Sequence, residues 1–110
     1  MVIADFDPGE MTARLTLQAP ADLPDGQGGA TAGFSDVTAL WARIVPLAAV
    51  AEERAGADAV TVTHNVWVRH RADLAAGMRL MKGGRVFAVS TVRDPDETGR
   101  YLICQCTEEG

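Results

Sequence analysis

The sequence has few of the residues from which most enzyme and metal sites are built. It contains two histidines, two cysteines and 5% aromatic residues among 110 residues. His64 and His70 lie six residues apart on one predicted strand, too far apart to bind the same metal ion. No nucleophile with a neighbouring base, phosphate-binding loop or calcium loop can be recognised. We therefore expect a protein that is not an enzyme and that binds no metal or cofactor.

Basic residues and long apolar runs are scarce as well. The net charge is −5, which argues against an extended nucleic-acid-binding surface, because such binding depends on many Lys and Arg side chains that neutralise phosphates. The N-terminus lacks the basic start and apolar run of a secretory signal, and no stretch is long enough to cross a bilayer. We expect a soluble intracellular protein without membrane contact.

The cysteines and one histidine are expected to have structural roles. Cys104 and Cys106 are separated by one residue on a predicted strand, so both side chains point to the same face, an unfavourable geometry for a mutual disulfide. Reduced, buried thiols are the expected state. His64 falls on a valine-rich face and is expected to be a partly buried ring with one hydrogen bond satisfied.

Alternating apolar residues indicate about six β-strands. The predicted strands cover residues 12–19, 34–45, 60–70, 78–82, 85–92 and 100–108. Gly83-Gly84 predicts a two-residue hairpin turn, since glycine supplies the positive φ that a tight turn needs, and residues 94–99 predict another turn. Because the length suits one core, we predict a single all-β domain over residues 1–110, a small antiparallel β-barrel with two long loops and one short helix at most.

Two segments have too little apolar surface for a regular buried element. Residues 20–33 are rich in Pro and Gly and predict a mobile loop or a long hairpin tip. Pro46 is expected to end the preceding strand, and the Ala-rich residues 47–59 predict a short helix or a flexible, mobile arm. Residues 1–11 are interpreted as an N-terminal extension. We expect both loops to order on docking, with candidate docking or channel-facing residues at Asp25, Gln27, Ala48, Val50, Glu52, Glu53 and Arg54.

Two tryptophans and one arginine are candidate interface anchors. Trp41 and Trp67 lie on two of the strongest strands, and each can be a core ring or an interface anchor, since tryptophan is enriched at the centres of interfaces. Arg69 is the third candidate. Together with Arg71, Arg79 and Arg85 it can form a basic stripe or take part in ordinary surface ion pairs.

The order of several short strings resembles the phage head-tail adaptor or head-closure family, which includes the stopper proteins of siphophages. No single string is specific, but their order extends over nearly the whole chain. The strings are Arg14–Gln18, Phe34, Val37, Leu40–Ile44, Pro46–Leu47, Thr63–His64, Val68–Arg71, Gly77–Leu80, Gly84–Phe87, Val92, Asp94–Pro95, Leu102, Cys104 and Glu108. The content of Ala, Gly, Val and Arg fits a prophage or a gene transfer agent.

The resemblance implies a structural virion protein. Its members are small β-barrels with long loops that form a homo-oligomeric ring, a hexamer or a dodecamer, at the joint between head and tail. The implied partners are a portal or adaptor protein above the ring and a tail terminator or tail tube protein below it. Such a protein assembles in the cytoplasm and then belongs to the virion, where it helps to retain packaged DNA. Direct contact with DNA stays open, as does the choice between stopper and adaptor.

A different class of function is the alternative. A small barrel of the OB type that binds single-stranded nucleic acid needs aromatic platforms along a basic groove.

Overall fold

The protein is described by a computed structural model. The backbone is described for residues 8–55 and 58–109, and the side chains for residues 9–47 and 61–109. Residues 1–7 of the expected N-terminal extension therefore lie outside the described residues, whereas Met11 at its end is buried. The described residues include no helix with the length and apolar character of a membrane span; a three-residue 3₁₀ turn, Pro8–Glu10, precedes the first strand.

Six strands form one antiparallel sheet that closes into a barrel. They are β1 (Ala13–Pro24), β2 (Ala30–Ala55), β3 (Asp58–Arg69), β4 (Arg79–Lys82), β5 (Arg85–Arg93) and β6 (Tyr101–Glu109). Their order around the barrel is β1-β2-β3-β6-β5-β4, and pairing of β4 with β1 closes it. The predicted all-β class, the antiparallel barrel and the number of strands are confirmed.

The barrel interior is filled by the apolar face of each strand. Successive side chains of a strand point to opposite faces, so the period-two pattern places one set inside. The largest fully buried side chains are Leu15, Leu17, Val62, Val66, Val68, Leu80, Phe87, Cys104 and Cys106. Each large apolar side chain removed from water contributes roughly 1.5–3 kcal/mol. Leu74 and Met78, from the connection between β3 and β4, complete the cluster.

The segment predicted as a loop or hairpin tip at 20–33 is a hairpin arm. Beyond Gln18, β1 pairs with β2 alone, in a register that runs from Ala19 opposite Ser35 to Pro24 opposite Ala30. We call residues 19–35 the β1–β2 arm. Its tip is a tight turn, in which the Asp25 carboxylate accepts hydrogen bonds from the backbone N–H groups of residues 27 and 29. Regular pairing was missed because Pro and Gly mask the extended pattern on either side of the tip.

Of the two alternatives predicted for residues 47–59, a short helix or a flexible arm, the helix is wrong. β2 continues to Ala55 and pairs with β3, which begins at Asp58, so the segment is a second hairpin arm. Pro46 does not end the strand: it lies opposite His64, and the register shifts between Pro46 and Ala51. A bulge tolerates a residue that has no backbone donor. We call residues 52–61, of which 56 and 57 lie outside the described backbone, the β2–β3 arm. The side chains of the predicted docking residues Ala48, Val50, Glu52, Glu53 and Arg54 lie outside the described residues.

Candidate interface surfaces

Trp41 is the most exposed of the large apolar side chains among the described residues. It is 52% exposed, although the next residue on β2, Ala42, is fully buried. Because β2 turns Ala42 inward, the alternation turns Trp41 outward. Arg14, directly opposite on β1, places its guanidinium carbon 5.0 Å from the centre of the Trp41 ring. A cation over a tryptophan face is stabilising by about 0.5–1 kcal/mol at an exposed site.

Arg69 borders the same tryptophan from the other side. Ala42 pairs with Val68, so the residues that flank this pair, Trp41 and Arg69, lie on adjacent strands and share the outer face. Trp41 and Arg69 together line two surface cavities, of about 470 Å³ beside Met11 and about 270 Å³ beside Arg14. We call Arg14, Trp41 and Arg69 the Trp41 surface. The structure thus brings two of the three predicted anchors together.

Trp67, the third predicted anchor, lies further along the outer wall. It stands opposite Arg43 on β2 and Ile103 on β6, and it is only partly exposed. Trp67 also has contacts within the chain. Its use as an interface anchor stays a prediction.

The arginines do not form one continuous basic stripe. Arg71 donates two hydrogen bonds to the Asp73 carboxylate, each of 3.0 Å, and Arg85 donates to Glu108 at 2.7 Å and 3.1 Å. The hydrogen bond from Arg85 holds the pKa of Glu108 below its usual value. Arg69 forms no ion pair with any residue whose side chain is described. It is therefore available to a partner.

His64 and the cysteines serve the barrel interior. The His64 ring packs edge-on against Phe87, with ring centres 5.1 Å apart, and its Nδ1 lies 2.8 Å from the Thr63 hydroxyl. This confirms the expected partly buried ring. Burial raises the pKa of the Cys104 thiol to about 12 and also raises that of Cys106, so neither is a thiolate at neutral pH. Within the described part of the chain, no group of three or more His, Cys, Asp or Glu could hold a metal ion.

The two arms leave opposite ends of β2 and lengthen the molecule. Its dimensions are 55 × 32 × 24 Å and its radius of gyration is 15.0 Å, against about 13 Å for a compact chain of this size. Asp25 and Gln27, predicted as docking residues, lie at the exposed tip of the β1–β2 arm. What they contact stays a prediction.

Two features of these surfaces were missed from the sequence. The pairing of Arg14 with Trp41 depends on strand register, for which the sequence offers only the polar face of β1 as a signal. The second feature is the acidic character of the β1–β2 arm and the residues at its base: from Gln18 to Asp36 there are three Asp and no Lys or Arg. This signal is present in the composition of the segment.

Known proteins show what this barrel resembles. The family model of the phage head completion protein matches residues 6–109. A chain in the virion of a native gene transfer agent particle has 22% identity and a TM-score of 0.62, with 87% of this chain and 91% of that chain covered. A Shigella flexneri 2a protein, solved in solution, has 23% identity and a TM-score of 0.68, with 96% and 98% covered. No curated protein matches. The two structures share the fold, and the family match over nearly the whole chain shows that this protein belongs to the phage head completion protein family.

Proposed function

We propose that this protein is one subunit of a ring that closes the joint between the head and the tail of a phage-like particle. Membership in the head completion family supports a structural role in a virion. The proposal of a ring at the joint rests on one observation: the molecule consists of a self-contained barrel and of exposed surfaces that a partner could cover. These surfaces are the Trp41 surface on the outer wall and the two arms at opposite ends of β2.

The Trp41 surface supports a lateral contact between copies. Exposed tryptophan and arginine side chains are enriched among the residues that dominate the binding energy of interfaces. A contact between two different surfaces of identical subunits closes into a ring when the rotation between copies permits it. The outer wall is therefore the place where we expect neighbouring copies to meet.

The arms support contacts beyond the barrel. A two-stranded hairpin is marginally stable in water by itself, and the β1–β2 arm buries none of its large side chains: Leu23 is 39% exposed. Because the arms leave opposite ends of β2, they can reach beyond the barrel in different directions, toward neighbouring copies or toward the proteins above and below the ring. A portal or adaptor protein on the head side and a tail terminator or tail tube protein on the tail side are the partners we propose.

In this proposal, the position of the ring in the channel matters more for DNA retention than the charge of its subunits. The chain carries a net charge of −5, and several of its arginines are already paired with acids. A closed ring with loops near its axis can block the channel without binding the phosphates of the DNA. The fold shared with a subunit of a gene transfer agent particle is compatible with either a prophage or a gene transfer agent as the source.

Binding of single-stranded nucleic acid is less well supported. It requires several aromatic platforms along a basic groove. Trp41 is the one aromatic ring among the exposed large apolar side chains of the described residues. The overall negative charge also disfavours this alternative.

Shortening the β2–β3 arm tests the proposed joint. Replacing residues 52–61 by Asn-Gly joins the paired residues Ala51 and Val62 through a two-residue turn and leaves the barrel strands intact. In electron micrographs we expect DNA-filled heads and separate tails in place of joined particles. The control is Glu97→Gly, in the turn between β5 and β6, where a φ of 58° suits glycine; it should leave joining unchanged. Normal numbers of joined particles with the shortened arm would contradict the proposal.

A further inference from the structure

We infer that the Trp41 surface receives the β1–β2 arm of the neighbouring copy, so that each subunit of the ring gives one arm and accepts another. This inference rests on the proposed ring and names the partner of two surfaces that the barrel leaves uncovered. The partner is a second copy of this chain, and the contact joins two different parts of the molecule.

Charge is the first argument for this pairing. Asp22 and Asp25 of the arm and Asp36 at its base are exposed, and the segment from 18 to 36 contains no basic residue. The Trp41 surface presents the opposite sign through Arg14 and Arg69. Complementary charges steer two surfaces together and fix their register. Like charges disfavour the contact of two arms or of two Trp41 surfaces.

Shape is the second argument. Leu23 is held on the surface of the arm over Gly33, which has no side chain: a Cβ there would lie 2.5 Å from Leu23 Cδ1. The arm thus presents an apolar side chain in a defined position. The cavity of about 470 Å³ beside Trp41 and Arg69 can accept such a side chain. Burial of Leu23 against Trp41 would cover two of the three large apolar side chains that the described surface exposes.

The backbone supplies a third argument. Pairing of β2 with β3 begins at Ala42, so β2 from Ala30 to Trp41 has no strand beside it on that edge within the described structure. β1 likewise loses its β4 partner after Gln18. An extended segment can add to such an edge by main-chain hydrogen bonds, a common mode of recognition. The 270 Å³ cavity borders this edge at Ala39, Leu40 and Trp41.

The β1–β2 arm is long enough to reach a neighbouring copy, but it cannot reach the Trp41 surface of its own chain. From Gln18 to Pro24 it extends about 20 Å at 3.3 Å per residue. The register shift between Leu17 and Gln18 is a bulge, and bulges bend strands, so the arm can leave the barrel at an angle. Leu23 and Arg14 are nine residues apart on the same extended strand, about 30 Å. The contact must therefore be made between copies.

Cross-linking in assembled particles tests the inference. The variant combines Ala21→Cys on the arm with Thr12→Cys at the edge of the larger cavity, which keeps Leu23, Trp41 and Arg69 in place. Thr12 directly precedes β1 and Ala21 lies nine residues further along in it, so a short bis-maleimide cannot link the two positions within one chain. We expect a ladder of covalent multimers on denaturing gels, extending to the full ring. Cys104 and Cys106 are buried and should not react.

The controls separate failure of the arm contact from failure of the ring. Each single cysteine variant, and Ala21→Cys combined with Glu97→Cys in the β5–β6 turn, should give no ladder. A second pair, Gln27→Cys with Thr12→Cys, repeats the test from the arm tip. If the chain is present in joined particles and neither pair gives a ladder, the arm contact is overturned while the ring stands. If the chain is missing from joined particles, the proposed function fails together with the inference.

Discussion

The two halves of β1 show how one strand can belong to two kinds of structure. From Ala13 to Gln18 the strand pairs with β2, and from Thr16 to Gln18 it pairs with β4 as well; Leu15 and Leu17 are fully buried. From Ala19 to Pro24 the same strand pairs with β2 alone, and Leu23 is exposed. The first half is stabilised by burial of apolar surface, whereas the second half has backbone pairing with β2 and only Ala19, at its base, packed against the core. The barrel half thus contributes to the stability of the fold, and the arm half is the part that we propose contacts a partner.

The largest expected effect is the difference in stability between two leucine-to-alanine variants, one in each half of β1. Leu17→Ala removes a fully buried side chain and should lower the free energy of unfolding by about 2–5 kcal/mol. Leu23→Ala should change it by less than about 0.5 kcal/mol, because an exposed side chain gives little to the isolated subunit. Urea unfolding of both variants measures the difference. Equal losses of stability would mean that the arm is part of the cooperative barrel.

A smaller difference in stability is expected between alanine variants of two glycines that both have a positive φ. Gly83, in the β4–β5 turn, and Gly28, at the arm tip, have φ values of 58° and 82°, and a Cβ would meet no atom within 4 Å at either position. Alanine is strained by about 1 kcal/mol at such φ values. Gly83→Ala should therefore lower the stability of the barrel by about 1 kcal/mol. Gly28→Ala should leave it unchanged, because the arm can open locally while the barrel stays folded.

Hydrogen exchange checks the same comparison without denaturant. The arm amides should exchange faster than the barrel amides in the wild type, and faster still in Gly28→Ala. Slow exchange throughout residues 19–35 in the isolated protein would contradict local opening of the arm.

The smallest expected effect concerns the turn between β5 and β6. The Asp96 carboxylate accepts hydrogen bonds from the Thr98 hydroxyl and backbone N–H and from Arg100, and these bonds, led by that of the Thr98 side chain, lower its pKa. A carboxyl whose pKa is lowered by folding adds stability above its unfolded pKa and loses it as the pH falls through the folded value. Asp96→Asn should therefore be less stable than the wild type at neutral pH.

The difference between wild type and Asp96→Asn should shrink as the pH falls below about 4, the ordinary pKa of an aspartate. Thermal unfolding over this range measures it. A difference that stays constant down to about pH 2 would show that the ionised carboxylate does not stabilise the turn.

Local pattern was sufficient to predict the barrel strands. Alternation over residues 12–19 and 60–70 identified the inward faces, and Gly83-Gly84 identified the β4–β5 hairpin. These features depend on side chains that are close in sequence, where the period of a strand is directly visible. The alternation also places Trp41 and Trp67 on the outer faces of their strands, but their exposure depends on which neighbours cover them.

The arms and the candidate site could not be predicted in the same way. The Ala-rich segment 47–59 has good helix propensity, yet its backbone pairs with β3, and tertiary pairing overrides such a weak preference. Arg14 and Trp41 are 27 positions apart in the sequence, and only the β1–β2 register places them opposite each other. Register and barrel closure are long-range properties, so the grouping of Arg14, Trp41 and Arg69 emerges only from the fold.

Electron cryomicroscopy of purified particles tests the central claim most directly. We expect a closed ring of these barrels between head and tail, with Trp41 covered by the β1–β2 arm of a neighbouring copy. Density for the chain elsewhere in the particle, or a joint with Trp41 open to solvent in every copy, would contradict it.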